Sequence, residues 1–134
     1  MDTSTGLNAV ARPRHGLQRL LKACVYSWQG FRAGWRHETA FRDAVMLCAA
    51  LTPLAFWVGR NALERALLLA TLLVLLITEL FNSAVEALAD RIGTEHHELS
   101  GRAKDFGAAA GLLAVLLVAV VWGTVAWLRF GAAP

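Results

Sequence analysis

The sequence predicts an all-α membrane protein: three transmembrane helices preceded by an N-terminal amphipathic surface helix, as a single domain over residues 1–134. Three observations carry this expectation. Of the 134 residues, 57% are hydrophobic and only 17% charged, too apolar for an ordinary soluble domain of this size. Long apolar runs recur at Ala44 to Val58, Ala66 to Thr78 and Phe106 to Leu128. Finally, seven of the thirteen basic residues (Arg12, Arg14, Arg19, Lys22, Arg32, Arg36 and Arg42) precede the first run, which predicts a cytoplasmic N-terminus. With three spans, the first loop and the C-terminus then face outward and the second loop faces the cytoplasm.

Residues 1–13 have no periodic apolar face and read as a disordered leader. They also lack the basic and apolar regions of a secretory signal. Over residues 14–36, Leu17, Leu20, Leu21, Cys24, Trp28, Phe31 and Trp35 recur at helical steps, with Arg19, Lys22, Arg32 and Arg36 on the other side. Such a helix suits the plane of an anionic membrane surface. The first span, about 42–59, has an apolar run shorter than the roughly 20 residues a crossing needs and contains Pro53, so it must extend into its flanks. Gly59, Arg60 and Asn61 turn the chain into a second span, about 63–88. The third, about 105–129, contains 23 residues without a charge, a helix of about 34 Å. Trp122 and Trp127 mark its far interface, and Gly107 to Gly111 has the GxxxG spacing that permits close helix contact. Cys24 and Cys48 lie in apolar patterns and read as small hydrophobes rather than a disulfide or metal pair.

The chemistry concentrates where the second span ends. Glu79, Asn82, Ser83, Glu86 and Asp90 fall on one face of a helix that continues out of an apolar run. Carboxylates at the edge of hydrocarbon are costly, so they need a reason. Glu79 abuts thirteen uncharged residues, and partial desolvation makes it a better base than a solvated carboxylate. An ion pair with a neighbouring helix is the alternative. Glu86, nearer water, suits Mg²⁺ carrying a nucleotide phosphate. Glu38 could add a second oxygen, or pair with Arg42 four residues on. The second loop, DRIGTEHHELSGRAKD from Asp90 to Asp105, joins this row to Lys104 and Asp105. Its adjacent His96 and His97 do not have the HExxH zinc spacing, and the chain holds no P-loop, Rossmann fingerprint or Ser/His/Asp signature.

The segment ELFNSAVEALADRIGTEHHELSGRAKD, Glu79 to Asp105, resembles the signature of the prokaryotic integral-membrane diacylglycerol kinases, E-x-x-N-[ST]-A-[IV]-E-x-x-x-D followed by G-x-A-K-D. Arg19 to Arg42 resembles the same family's amphipathic segment. The resemblance implies a homotrimer in a bacterial inner membrane, with a periplasmic C-terminus, that phosphorylates diacylglycerol from ATP with Mg²⁺. It further implies that Glu79 is the general base and that Glu38 and Glu86 hold metal, with Asn82 and Asp90 supporting them. Arg19, Tyr26, Glu95, His96, His97, Lys104 and Asp105 would then belong to the nucleotide side. Ser27, Trp28, Arg32, Trp35 and Trp122, with Arg19 and Glu79, would contact lipid. No nucleic-acid partner is expected. Two positions depart from the family pattern: Asp43-Ala44 stands where a Gln-Glu pair is common, and His96 where Tyr is common. An undecaprenol kinase of the same superfamily is the nearest alternative, and a non-enzymatic membrane subunit or proton-coupled carrier the next.

Overall fold

The computed structural model describes residues 16–93 and 97–131, so the leader and the candidates Glu95 and His96 lie outside the described residues. Four α-helices follow in chain order: α1 (Gly16–His37), α2 (Thr39–Val58), α3 (Ala62–Ile92) and α4 (Glu98–Ala126), the last running into a π-helical turn at Trp127–Gly131. Among the described residues there is no strand. The chain divides into a unit ending at Arg32 and a unit beginning at Ala33.

The first unit is most of α1. Its apolar residues, Leu17, Leu20, Leu21 and Trp28 among them, are exposed, as expected of a helix whose apolar face meets something other than water. The residues Arg36 and His37 occupy its last turn, where cations complement the helix dipole.

In the second unit the chain breaks at Glu38, whose extended backbone (φ −113°, ψ 112°) caps α2 without a side-chain hydrogen bond. Gly34 is buried because the Phe41 ring lies on it: a methyl group there would meet ring carbons at 2.8 Å. Helix α2 reaches a span's length by recruiting Thr39 to Asp43, and Thr52 Oγ1 donates to Cys48 O at 2.7 Å one residue before Pro53. The turn into α3 is built on Gly59, where a Cβ would meet Arg65 Cγ at 2.7 Å and Ala55 O at 3.0 Å. Asn61 caps α3 by accepting from Glu64 N at 2.9 Å, and Glu64 reaches back to Arg60 N at 2.7 Å. This is a variant of the reciprocal capping box.

The central element is α3, packed against α2 on one side and α4 on the other. Its buried residues Leu68, Leu72 and Leu75 meet Ala44, Cys48, Ala55 and Val58 of α2 and Ala114 and Val125 of α4. The small residues on α2 and α4 let these helices approach α3 without a thick hydrophobic core. Most of the remaining apolar surface faces outward, and all three helices are long and apolar enough to cross a membrane. A helix of 31 residues is about 46 Å long, against about 30 Å of hydrocarbon. Helix α3 is therefore longer than the apolar slab is thick.

Polar contacts also cross the core: Cys48 Sγ of α2 donates to Leu72 O of α3 at 3.6 Å, and Trp122 Nε1 of α4 donates to Thr71 Oγ1 at 3.2 Å, while that hydroxyl donates to Leu68 O at 2.7 Å. Because Thr71 keeps its own acceptor, Trp122→Phe removes one hydrogen bond and orphans no donor. Thermal unfolding in detergent should report a loss of about 1 kcal/mol.

Candidate functional site

The polar row of α3 is met by the N-terminal half of α4, which runs antiparallel to it. Glu79 and Asn82 face glycines. A Cβ at Gly111 would stand 3.3 Å from Glu79 Oε1, and one at Gly107 would overlap Asn82 Oδ1. The GxxxG spacing thus has a definite role: it clears α4 of side chains where the α3 carboxylate and amide lie.

From there the row is wired along the helix. Asn82 Nδ2 donates to Glu86 Oε1 at 3.0 Å, the i, i+4 geometry of neighbouring helical turns. Asp90 closes the row by accepting from Lys104 Nζ at 2.7 Å, and this ion pair is exposed on both sides. It is the sole ion pair found among the described residues. Within the row, Glu79 and Glu86 therefore form no ion pair among the described residues, and neither does Glu38 at the start of α2. Arg42 instead donates to Thr39 Oγ1 at 3.1 Å. The ion pair that the sequence leaves open for Glu38 or Glu79 is thus absent among the described residues.

Asn82 Oδ1 is buried and accepts no hydrogen bond among the described residues. Buried amide oxygens without a donor are uncommon and costly. The Gly107 backbone beside it offers at best a weak Cα–H contact. On the outer side of the row runs an open, almost wholly apolar groove of about 510 Å³, lined by Thr78, Phe81, Asn82, Val85, Ala103, Phe106, Gly107 and Ala110. Half-polar and half-apolar surfaces thus adjoin at Asn82.

The loop expected between Asp90 and Asp105 is largely helical. With α3 running to Ile92 and α4 starting at Glu98, Lys104 and Asp105 sit on the second turn of α4. His97 is its N-cap, with Nδ1 accepting from Leu99 N at 3.2 Å. The other expected site residues are dispersed. Trp122 is on the far side of the α3–α4 contact, held at Thr71, about 12 Å along α3 from Glu79. Arg19, Tyr26, Ser27, Trp28 and Arg32 are exposed on α1 in the first unit, and Trp35 is exposed on its last turn. Asp43 is exposed on α2.

Mg²⁺ prefers hard oxygen ligands in an octahedral shell and retains several water or phosphate oxygens. No group of three or more His, Cys, Asp or Glu gathers for a metal among the described residues. Glu38 and Glu86 nonetheless fit an ion delivered with a nucleotide: both are half-buried carboxylates, and Glu86 engages only one of its oxygens with Asn82. A sparse donor set of this kind suits a metal whose other ligands are phosphate and water.

The geometry can be compared with known proteins. The sequence profile described as prokaryotic diacylglycerol kinase matches residues 25–126. A relative from Escherichia coli K12 named diacylglycerol kinase is 44% identical over 116 residues, covering 87% of this chain and 95% of its own length. A Pseudomonas aeruginosa protein of the same name is 47% identical over 110 residues, covering 82% and 89%. One from Helicobacter pylori 26695 is 37% identical over 108 residues, covering 81% and 84%. The match takes in the whole α3–α4 site as well as the three apolar helices, so the chain belongs to the prokaryotic diacylglycerol kinase family.

Proposed function

We propose that this protein phosphorylates diacylglycerol to phosphatidic acid at the cytoplasmic face of a bacterial inner membrane, using ATP and Mg²⁺. The observation that carries this reading is Glu79: a carboxylate at the end of an apolar span, with no cation paired to it among the described residues, facing a glycine of the next helix. A structural carboxylate at this depth would be expected to pair. An unpaired one is suited to taking a proton.

In this account the lipid lies with its acyl portion against the apolar groove beside Asn82 and its hydroxyl at Glu79. The hydroxyl oxygen attacks the γ-phosphorus, the bond to the bridging oxygen of ADP breaks, and Glu79 receives the hydroxyl proton. Phosphoryl transfer of this kind depends mainly on positioning and charge neutralisation, so a site without a covalent nucleophile suffices. Mg²⁺, when bound with the nucleotide, supplies positive charge at the phosphates. Glu86 and Glu38 are the residues that would hold it. Asn82 fixes one Glu86 oxygen, and Asp90 holds the Lys104 ammonium at the water-exposed end of the row, where phosphate arrives. Asp105, His97, Glu95 and His96 flank that end on the nucleotide side. Arg19, Tyr26, Ser27, Trp28, Arg32, Trp35 and Trp122 are further lipid and nucleotide contacts. The assignments on α1 and Trp122 suit a homotrimer, in which a neighbouring subunit brings such residues to the row.

Lys104→Met separates this role from stability. The Asp90–Lys104 pair is exposed, and exposed pairs contribute little to folding. The variant should melt close to the parent while its KM for MgATP rises at least tenfold, the loss of one charge-assisted phosphate contact.

The reading is tested with purified protein in mixed micelles containing Mg²⁺ and labelled ATP, offered diacylglycerol or undecaprenol. Preferential labelling of diacylglycerol is the expected result. A preference for undecaprenol would keep the chemistry and replace the substrate, and absence of transfer to either lipid by folded protein would overturn the kinase reading.

A further inference from the structure

The end of the helices opposite the polar row carries an unexplained charge. Of the thirteen basic residues, ten (Arg12, Arg14, Arg19, Lys22, Arg32, Arg36, Arg42, Arg91, Arg102 and Lys104) lie in the N-terminal region or at the α3–α4 connection. The other three, Arg60, Arg65 and Arg129, are far apart in sequence yet converge. The Arg60 guanidinium donates to the Leu128 carbonyl, which brings the α2–α3 turn to the end of α4. Arg65 Nε donates to Gly59 O at 3.0 Å, beside Arg60. Arg129 lies over Trp57 and Phe130, with its guanidinium carbon 5.8 Å and 5.4 Å from the two ring centres.

Among the described residues only Glu64 opposes them, and its carboxylate is occupied by the Arg60 backbone N–H and the Asn61 amide rather than by a guanidinium. Three positive charges against one negative leave a net charge of two. Each guanidinium has five N–H donors, and the hydrogen bonds above use one from Arg60 and one from Arg65. Arg60 and Arg65 each tie a backbone carbonyl at this end, but their remaining donors and the whole Arg129 guanidinium have no hydrogen-bond partner among the described residues, and a basic cluster on the outward side runs against the usual charge asymmetry of spanning helices.

We infer that Arg60, Arg65 and Arg129 form a binding site for the phosphodiester headgroup of an anionic phospholipid, in the leaflet opposite the phosphoryl-transfer site. Two features favour a lipid over a soluble anion. Arg65 and Asp90 are 25 residues apart on α3, about 38 Å, so the cluster sits at the second membrane interface when the polar row sits at the first. Its neighbour Trp57 has the amphipathic indole of a headgroup-depth anchor and packs against Phe130, with ring centres 5.4 Å apart. Guanidinium forks also match phosphate oxygens two at a time. The net positive charge selects anionic over zwitterionic headgroups.

The test uses the full chain in nanodiscs of mixed phosphatidylglycerol and phosphatidylcholine, with retained lipid counted by native mass spectrometry. The parent should keep phosphatidylglycerol in preference to phosphatidylcholine. Near a membrane surface each arginine contributes about fivefold in anionic-lipid affinity, so Arg60→Gln with Arg129→Gln should lose about thirtyfold of that preference. Arg91→Gln with Arg102→Gln, the same charge change at the other end without a converged cluster, should lose much less of it. Arg129→Gln alone disturbs no hydrogen bond among the described residues and should lose about fivefold, which keeps the test decisive if the double variant does not fold. A parent without headgroup preference, or an equal loss in the Arg91/Arg102 control, would overturn the proposal. Displacement of the lipid by inorganic phosphate would identify a soluble-anion site and overturn it as well.

Discussion

Glu79→Gln should reduce kcat for diacylglycerol phosphorylation by about 100-fold to 10,000-fold, the range ascribed to a positioned general base. The amide is isosteric, so packing against Gly111 is unchanged, and it removes a charge from the edge of an apolar span. The variant should therefore melt no lower than the parent. KM for MgATP should hardly move, because the proposed role of Glu79 is on the lipid hydroxyl rather than on the nucleotide. Steady-state kinetics in mixed micelles, paired with thermal unfolding of the same preparation, check both halves. Loss of activity accompanied by loss of stability would instead point to a carboxylate needed for folding.

Gly107→Val should have the second largest effect. The Gly107 position cannot take a Cβ without displacing Asn82 Oδ1, and Asn82 holds Glu86 through its amide nitrogen. Forcing a side chain into this contact should cost about 1–3 kcal/mol of stability. It should lower activity at least tenfold by letting Glu86 drift. Gly107→Ala should do the same more mildly, because its gain in helix propensity offsets part of the clash. The coupling can be isolated: in an Asn82→Ala background the clash partner is gone, so Gly107→Ala should cost almost nothing further. Two residues in contact give such non-additive double-mutant cycles, and independent residues do not. Gly101→Ala is a useful control, since a methyl there meets nothing within 4 Å.

Much of this architecture is legible in the residues because a membrane simplifies the reading. Long uncharged runs have few other fates, and the helical period that predicts amphipathic α1 also places Glu79, Asn82, Glu86 and Asp90 on one face. What a single helix cannot reveal is the register of its neighbour. GxxxG at Gly107 and Gly111 is by itself only a hint of close packing, and nothing local says that Asn82 and Glu79 are what it approaches. The same holds for Thr71 with Trp122, and for Arg60 with the Leu128 carbonyl, pairs separated by 51 and 68 positions. Periodicity also undercounted helix at the α3–α4 connection. The charged stretch from Arg91 to Lys104 reads as a solvated loop, but its His97 cap and Glu98 in the first turn start a helix early.

The carboxylates illustrate a further limit. Sequence spacing leaves Glu38 equally ready to pair with Arg42 or to bind metal, since i, i+4 placement permits the pair without requiring it. Arg42 donates to Thr39 and forms no ion pair with Glu38 among the described residues, a choice that depends on rotamers.

The proposed function divides the labour along one helix face, with Glu79 serving the proton and Glu86 serving the metal-bound nucleotide. The most direct test is the initial rate of diacylglycerol phosphorylation as Mg²⁺ is raised, measured for Glu79→Gln and Glu86→Gln beside the parent. Glu86→Gln should require more Mg²⁺ and recover part of its rate when it is supplied, while Glu79→Gln should stay inactive at every concentration. Recovery of Glu79→Gln by Mg²⁺, or parental activity in that variant, would contradict the claim.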